Sequence, residues 1–478
     1  MTTKLTAEEP SAVYEVLREQ LPAAPTMRLG DVVSKLVDGS HNPPAKCDSG
    51  HPMLSARNID NGSINFDEFR FIATDDFALE DRRTRVTAGD VLLTIVGTIG
   101  RAAVVRHETE RFTLQRSVAV MTPTKVLPHY LAYQLQAPVI QRHFERVARG
   151  TAQKGVYLKI LSDTAVVVPE HGKQREIAAY LDEQLSRLDA SVAALLRAQA
   201  NLKRYRASVL KSACEGRLVP TEAELARAEG RTFETGVQLL QRILADRRAR
   251  WAGKGKYKEA ATNGSHVLPE APSGWAWTGL GGLIADGPQN GLYVPKASYG
   301  SGVPIIRISD YQNDWQLPFS ELQRVNIEAV TADVYRVCDG DILVNRVNSL
   351  THLGKTLLVR SRGEMPVFES NIMRMRLSSA VVPEYVTLYL RSSRGRTRLN
   401  SGAKWAVNQA SINQQDVCSC PIPLPPLPEQ HRIVAEADRR LSLIRGAEAQ
   451  VSANLARAKR LRQSILQAAF ANPGSAGQ

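Results

Sequence analysis

The 478-residue sequence predicts an α+β multidomain protein, with two mixed α/β modules each followed by one long helix. Three observations carry that expectation. A Gly-x-Pro before an apolar run occurs at Gly50-Pro52 and again at Gly302-Pro304, 252 residues apart (302 − 50), and a Gly-Asp turn opening an apolar strand pairs Gly89-Asp90 with Gly340-Asp341. Gln174 and Leu210 match Gln430 and Leu466 at one offset, 256 (430 − 174 and 466 − 210), so the helical stretch between them repeats without a gap. A period this long means duplicated domains rather than a solenoid. A hydrophobic content of 43% over this length also supplies two or more separate cores. Two similar modules on one chain suggest a pseudo-symmetric molecule that handles two similar targets at once.

The elements follow in order. Residues 1–24 (SAVYEVLREQL) read as a short amphipathic helical extension ending before Pro22 and Pro25. Residues 25–170 show short β-rich runs between turn signals (MRLGDVV, HPMLSARNI, SINFDEF, DVLLTIVGTIG, RAAVV) and one helical insert, PHYLAYQLQAPVIQRHF. Residues 171–216 hold no proline until Gly216 stops them, and predict the first long helix. Residues 217–272 read as a polar linker with one local helix, residues 273–424 as the second module, 425–471 as the second long helix and 472–478 as a tail.

Taken every three then four residues, the first long helix presents Leu181, Leu185, Leu188, Val192, Leu195, Leu202 and Val209 on one stripe, and the second presents Leu441, Ile444, Val451, Leu455 and Ile465. At 1.5 Å per residue each helix is about 60 Å long, and alone it would leave that stripe in water. The two helices are therefore expected to pack on each other, although periodicity does not choose between parallel and antiparallel. Arg206 and Arg462 share one seam position. They either snorkel to water or penalise slipped registers.

The net charge of +13 and pI near 9.6 point to a polyanionic partner. The apolar runs are too short to cross a bilayer, and the acidic N-terminus MTTKLTAEEP lacks the form of a signal peptide, so a cytoplasmic protein is expected. Five scattered cysteines make no disulfide framework, Cys418-x-Cys420 lacks a second pair for zinc, and nine histidines show no HExxH spacing.

The run AVNQASINQQDVCSCPIPLPPLPEQHRIV (406–434) resembles the close of a target-recognition domain in specificity subunits of type I DNA restriction-modification systems. VYLKILSDTAVVVPEHGKQREIAAYL is similar to the same stretch in worn form, and DGSHNPPAKCDSGHPMLSARNIDNG and LPEAPSGWAWTGLGGL also look like that family. The resemblance spans residues 25 to 471. It implies two target-recognition domains related by a pseudo-two-fold, joined by two long helices that form an antiparallel coiled coil. It also implies a non-catalytic subunit. Each domain would read one half of a split target in double-stranded DNA, while the coil sets the spacing and docks two modification (methyltransferase) subunits. Those would methylate N6 of adenine, and restriction (motor-nuclease) subunits would join them. S-adenosylmethionine, ATP and Mg would bind on the partners and none on this chain. The modules differ between shared landmarks, so the expected target is asymmetric.

Candidate DNA-binding residues lie in loop-like stretches. Asn42-Pro43-Pro44-Ala45 is similar to the NPPY-type motif of adenine methyltransferases, but it carries Ala where the stacking ring belongs and no Gly-rich cofactor loop precedes it. Ser40, His41 and Asn42 are read instead as a turn or DNA-facing loop. Gly97-Thr98-Ile99-Gly100-Arg101 is either a tight β-turn or a loop bringing Thr98 and Arg101 to DNA; the second module offers Asn345, Arg346, Asn348 and Lys355 in the matching region. Because Arg and Lys suit guanine and Asn and Gln suit adenine, the first module adds Arg57, Asn58, Gln115, Arg116 and Lys154. The second adds Gln289, Asn290, Arg307, Asn371, Lys404, Trp405 and Asn408. A methyltransferase using the NPPA segment and a coiled-coil DNA scaffold without sequence preference are the two alternatives.

Overall fold

A computed structural model describes residues 24–470 except 61, 151–152, 252–256, 258, 260–267, 313–314, 317, 350, 361–362 and 407–408. The expected N-terminal helix, the tail and Asn408 lie outside the described residues. Contacts divide the chain into two units, Met1–Arg197 with Val451–Gln478, and Ala198–Gln450, so each long helix belongs partly to both.

Unit 1 carries strands β1 (Thr26–Arg28), β2 (Val33–Asp38), β3 (His51–Leu54), β4 (Ile59–Asp60), β5 (Ser63–Ile64), β6 (Arg70–Ile72), β7 (Val91–Thr94), β8 (Ala102–Val104), β9 (Thr113–Leu114), β10 (Val118–Pro123) and β11 (Ala165–Val167). An antiparallel sheet runs β2-β10-β7-β8, a second sheet runs β6-β3-β9 with β3 and β9 parallel, and β1 pairs with β11. All four residues of β7 are buried, as its unbroken VLLT run requires of a central strand. The single expected helical insert is two helices, Pro128–Gln136 and Pro138–Val147, because Pro138 forces Ala137 into extended backbone. Thr74–Thr84 forms a further helix, with Asp75 and Asp76 in its first turn and Arg82 and Arg83 in its last, the charge order that the helix dipole favours.

Unit 2 carries β12 (Ala276–Gly279), β13 (Ile284–Asn290), β14 (Tyr299–Ile306), β15 (Tyr311–Gln312), β16 (Trp315–Gln316), β17 (Arg324–Val325), β18 (Ile342–Asn345), β19 (Val347–Asn348), β20 (Thr356–Leu358), β21 (Val367–Phe368), β22 (Ile372–Leu377), β23 (Lys404–Ala406), β24 (Gln409–Ser411) and β25 (Pro421–Leu424). Its sheets repeat those of unit 1: β13-β22-β18-β20 antiparallel, β17-β14-β21 with β14 and β21 parallel, and β12 paired with β25. A three-stranded sheet β19-β24-β23 is added.

The repeated landmarks are parts of the frame. Gln174 and Gln430 are fully buried clamps. Gln174 accepts the Leu127 amide at 2.7 Å and donates to the Pro169 carbonyl at 2.8 Å; Gln430 accepts the Val382 amide at 2.9 Å and donates to the Pro425 carbonyl at 2.9 Å. Each thus ties the start of a long helix to the N-cap of the helix opened by Pro128 or Pro383. Asp90 and Asp341, also buried, cap their own turns through the Thr87 and Cys338 amides and pair with Lys35 on β2, two strands away, and with Arg376 on the adjacent β22. Gly50 and Gly302 have φ of +143° and +97°, and a Cβ there would meet the carbonyl oxygens of Ile72 and Val325 at 2.2 and 2.4 Å, so no other residue fits either turn.

The long helices span His171–Cys214 and Leu427–Phe470. In unit 1 the core takes Ile177, Leu181 and Leu185 from the first and Leu466, Ala469 and Phe470 from the second, with Ile465 packed against it, and further along Arg462 donates to Asp189 at 3.0 Å. In unit 2 Val209 and Ala213 share a core with Ile433, Ala437, Leu441 and Ile444; Leu202 packs against it, and Arg206 donates to Glu448 at 2.8 Å. Within each unit, residue numbers rise on one helix as they fall on the other, so the pairing is antiparallel. Leu188, Val192, Leu195 and Leu455 are half-buried and Val451 is buried. Both seam arginines are ion-paired, so neither merely snorkels.

Residues 217–251 depart from the expected linker. Two helices, Glu222–Glu229 and Gly236–Ala249, each open with a capping box, Thr221 with Glu224 and Thr235 with Gln238. Leu239 and Ile243 enter the unit 2 core, and buried Glu429 accepts the Glu222 amide and the Trp275 indole N–H, both at 2.9 Å. The segment is docked because its apolar stripe and its caps are both satisfied there.

Candidate nucleic-acid interface

In the unit 1 sheet, β2 and β7 end where β10 and β8 begin, with Asp38 opposite Ala119, Thr94 opposite Val118 and Leu93 opposite Ala102. The connecting loops therefore gather at one end. Backbone hydrogen bonds stitch them together: Ser40 to Leu114, Arg116 to Ser40, Gln115 to Leu54, Ile95 to Ser117 and Gly97 to Lys154. His41, Asn42, Thr98, Arg116 and Lys154 are exposed on this rim and Gln115 is half-buried. Arg57 is exposed beside Glu68, and its turn joins the rim through the Ala56 amide on Ser117 Oγ at 3.0 Å. Arg101 is half-buried, with its guanidinium 3.7 Å from Asp60.

Unit 2 repeats the arrangement. Its stitches run Gly291 to Ile372, Leu292 to Phe368, Glu369 to Ile306, Arg346 to Asn371 and Ile412 to Arg346. Asn290 is exposed at the end of β13, and Asn371 and Asn348 are half-buried on the same rim. Strand β24 pairs with both β19 and β23, bringing Asn348 beside the hairpin that carries exposed Lys404 and Trp405. Tyr293, 78% exposed just past Gly291, belongs to this rim and escaped the sequence reading, since a lone Leu-Tyr after glycine looks the same in a core strand.

Several candidates are frame rather than rim. Asn58 is buried, accepts the Ser55 amide and donates to the Asn65 and Glu68 carbonyls, so it holds its own turn as Asp310 does for Arg307. Asn345 is fully buried and accepts from the Tyr311 hydroxyl. Lys355 is buried, and that burial, followed by the nearby Arg396 guanidinium, pulls its ammonium below the usual lysine range. Ser40 is buried and donates to Glu80 at 2.8 Å. Gln289 accepts from the buried Arg374 at 2.7 Å and donates to the Val334 carbonyl. Arg307 is locked on Asp310, which holds the guanidinium above its usual range. Arg346 is half-buried and donates to the Ser370 carbonyl at 3.2 Å. Polar type alone does not separate a capping amide from a reading one; burial does.

Asn42 to Ala45 form a loop after β2 in which the Pro44 carbonyl accepts from Arg70 at 2.6 Å. Among the described residues no His, Cys, Asp and Glu side chains gather as a metal-binding set, and no helix is long and apolar enough to cross a membrane.

The profile of the type I restriction modification DNA specificity domain matches residues 25–195 and 285–442. The chain is 24% identical over 426 residues to the type I restriction enzyme StySPI specificity subunit of Salmonella potsdam, covering 88% of this chain and 81% of the relative. Identity to the EcoKI specificity subunit of Escherichia coli K12 is 23% over the same shares. A chain solved in work on complex assembly and conformational transition of the type I R-M system superposes with a TM-score of 0.53 at 20% identity, covering 94% of this chain and 98% of that one.

Proposed function

The chain belongs to the type I restriction modification DNA specificity family, and from that premise we propose that each of its two modules reads one half of a bipartite, asymmetric target in double-stranded DNA. It is a specificity subunit, a non-catalytic DNA-recognition component. The antiparallel coil sets the distance between half-sites and docks two modification subunits, which methylate adenine; restriction subunits complete the assembly. S-adenosylmethionine, ATP and Mg act on those partners, in the cytoplasm.

The observation that supports this reading most is the contrast within the repeat. The buried clamps recur residue for residue, whereas the exposed rim carries His41, Asn42, Thr98, Arg116 and Lys154 in one unit and Asn290, Tyr293, Lys404 and Trp405 in the other. Arg and Lys on such a rim suit phosphates and guanine, and Asn suits adenine.

The test is to sequence methylated adenines in a host carrying the chain with its modification partner. A split motif of fixed spacing is expected, and lengthening the spacer by one base pair should abolish its methylation. Equal affinity for all duplexes at fixed salt, or methylation by the chain alone, would overturn the proposal.

A further inference from the structure

The duplication lets each position be compared with its twin. Cys214 ends the first long helix and Phe470 the second, at the offset that relates Gln174 to Gln430. In unit 1 the Phe470 ring is buried edge-on against Tyr130, with centroids 5.4 Å apart. In unit 2 the tyrosine is matched by Tyr385, which packs edge-on against the Trp275 ring with centroids 6.2 Å apart, and a thiol rather than a ring ends the helix. A cavity of ≈ 400 Å³ opens there, lined in part by Lys211, Cys214, Glu215, Arg394, Thr397 and Arg398.

Its charge is lopsided, with three cations and one carboxylate. Glu215 pairs with Arg394 at 3.2 Å and is also held by Arg217, so Arg394 is not its sole partner. Arg398 is fixed in place, donating to the Tyr389 hydroxyl at 3.0 Å while its guanidinium lies 4.8 Å from the centre of the Trp277 ring. Burial pushes the Cys214 thiol up to about 12, so it adds no negative charge at neutral pH. In unit 1 the twins of Lys211 and Arg394 are Gln467 and Val139, which carry no charge.

We infer that this cavity of unit 2 binds a phosphate oxyanion, gripped by Lys211, Arg394 and Arg398 with the Thr397 hydroxyl as a further donor. Planar guanidinium forks and an ammonium match tetrahedral oxygens, and the small Cys214 side chain leaves the wall open where it lines the cavity. The phosphate comes either from a free phosphate-bearing molecule or from the DNA backbone.

Equilibrium dialysis of the full chain against radiolabelled inorganic phosphate, at constant ionic strength, tests this. Saturable binding is expected, weakened about tenfold or more in Lys211→Ala/Arg394→Ala, since a charged hydrogen-bond partner contributes that much. Cys214→Phe, which puts a ring into the cavity wall, should abolish it. No saturable binding by the wild type, or binding unchanged in the double alanine variant, overturns the inference, even where Cys214→Phe does not fold. A non-specific duplex identifies the source: a salt slope reduced by about one in the alanine variant marks a backbone phosphate, and an unchanged slope marks a free one. Sequence reading is not measured in either arm, so this site and the specificity function can fail separately.

Discussion

Replacing Gln430 with alanine should destabilise unit 2 far beyond the loss of one side chain's packing. The fully buried amide satisfies the Val382 N–H and the Pro425 carbonyl, both at 2.9 Å. Alanine leaves both groups buried without a partner, at about 1–3 kcal/mol each, so a loss of about 2–6 kcal/mol follows. Methionine, which fills the space but cannot bond, should lose nearly as much and so separates hydrogen bonding from packing. Because a chain with two units need not unfold in one step, the sharper measurement is local. Exchange of the Val382 amide should accelerate by about 30-fold or more, at 1.4 kcal/mol per decade. Gln174→Ala should do the same at the Leu127 amide, where the bond is 2.7 Å. If Gln430→Ala costs less than about 1 kcal/mol and the Val382 amide stays protected, the clamp is not what holds the helix entry.

Arg206→Leu alone should lower stability by about 1 kcal/mol, since it strands half-buried Glu448, whereas Arg206→Leu with Glu448→Leu should recover it; a thermal double-mutant cycle without coupling would refute the pairing. Arg116→Ala with Lys154→Ala should weaken non-specific duplex binding and reduce the salt slope by about two, and an unchanged slope would place the DNA elsewhere. Trp405→Ala should weaken target binding by roughly 1–3 kcal/mol without changing the melting temperature; a lost fold with no binding defect would count against a contact. Burial raises the Glu429 carboxyl above its usual range, so its stabilising contribution is full below the unfolded value of about 4.3 and is lost as pH rises through the folded value. Glu429→Gln should flatten that decline in unfolding experiments; parallel pH profiles would refute it.

The legible part of the sequence was whatever repeats. Nearly constant spacing marked Gln174 with Gln430 and Gly89-Asp90 with Gly340-Asp341, because buried hydrogen bonds tolerate few alternatives at fixed geometry. The seam stripes were legible for the same reason, as an apolar face must recur every three and four residues. Short strands and caps were less so. SINFDEF contributes only Ser63–Ile64 to a strand, and the Thr74–Thr84 helix was not read from the sequence. The site was read by residue type, which put Asn58, Asn345 and Lys355 among the readers although all three lie inside. An asparagine capping a turn and one presented to a base carry the same letter, and only tertiary burial tells them apart.

That confusion has a physical origin in how the modules are built. The rim loops are stitched to one another by backbone bonds, such as Arg116 to Ser40 and Ile95 to Ser117, and by buried caps such as Asn58. Side chains that merely point outward from those loops take no part in the stitching. A change at Asn42, Thr98, Tyr293 or Lys404 therefore alters what the rim offers without loosening the frame, whereas a change at Asn58, Asp90 or Gln174 does the reverse. Two copies of one frame can then carry unlike rims, as the two units do. On the proposed function an asymmetric target is the expected consequence: stability resides in groups the halves share, and selectivity would reside in groups they do not.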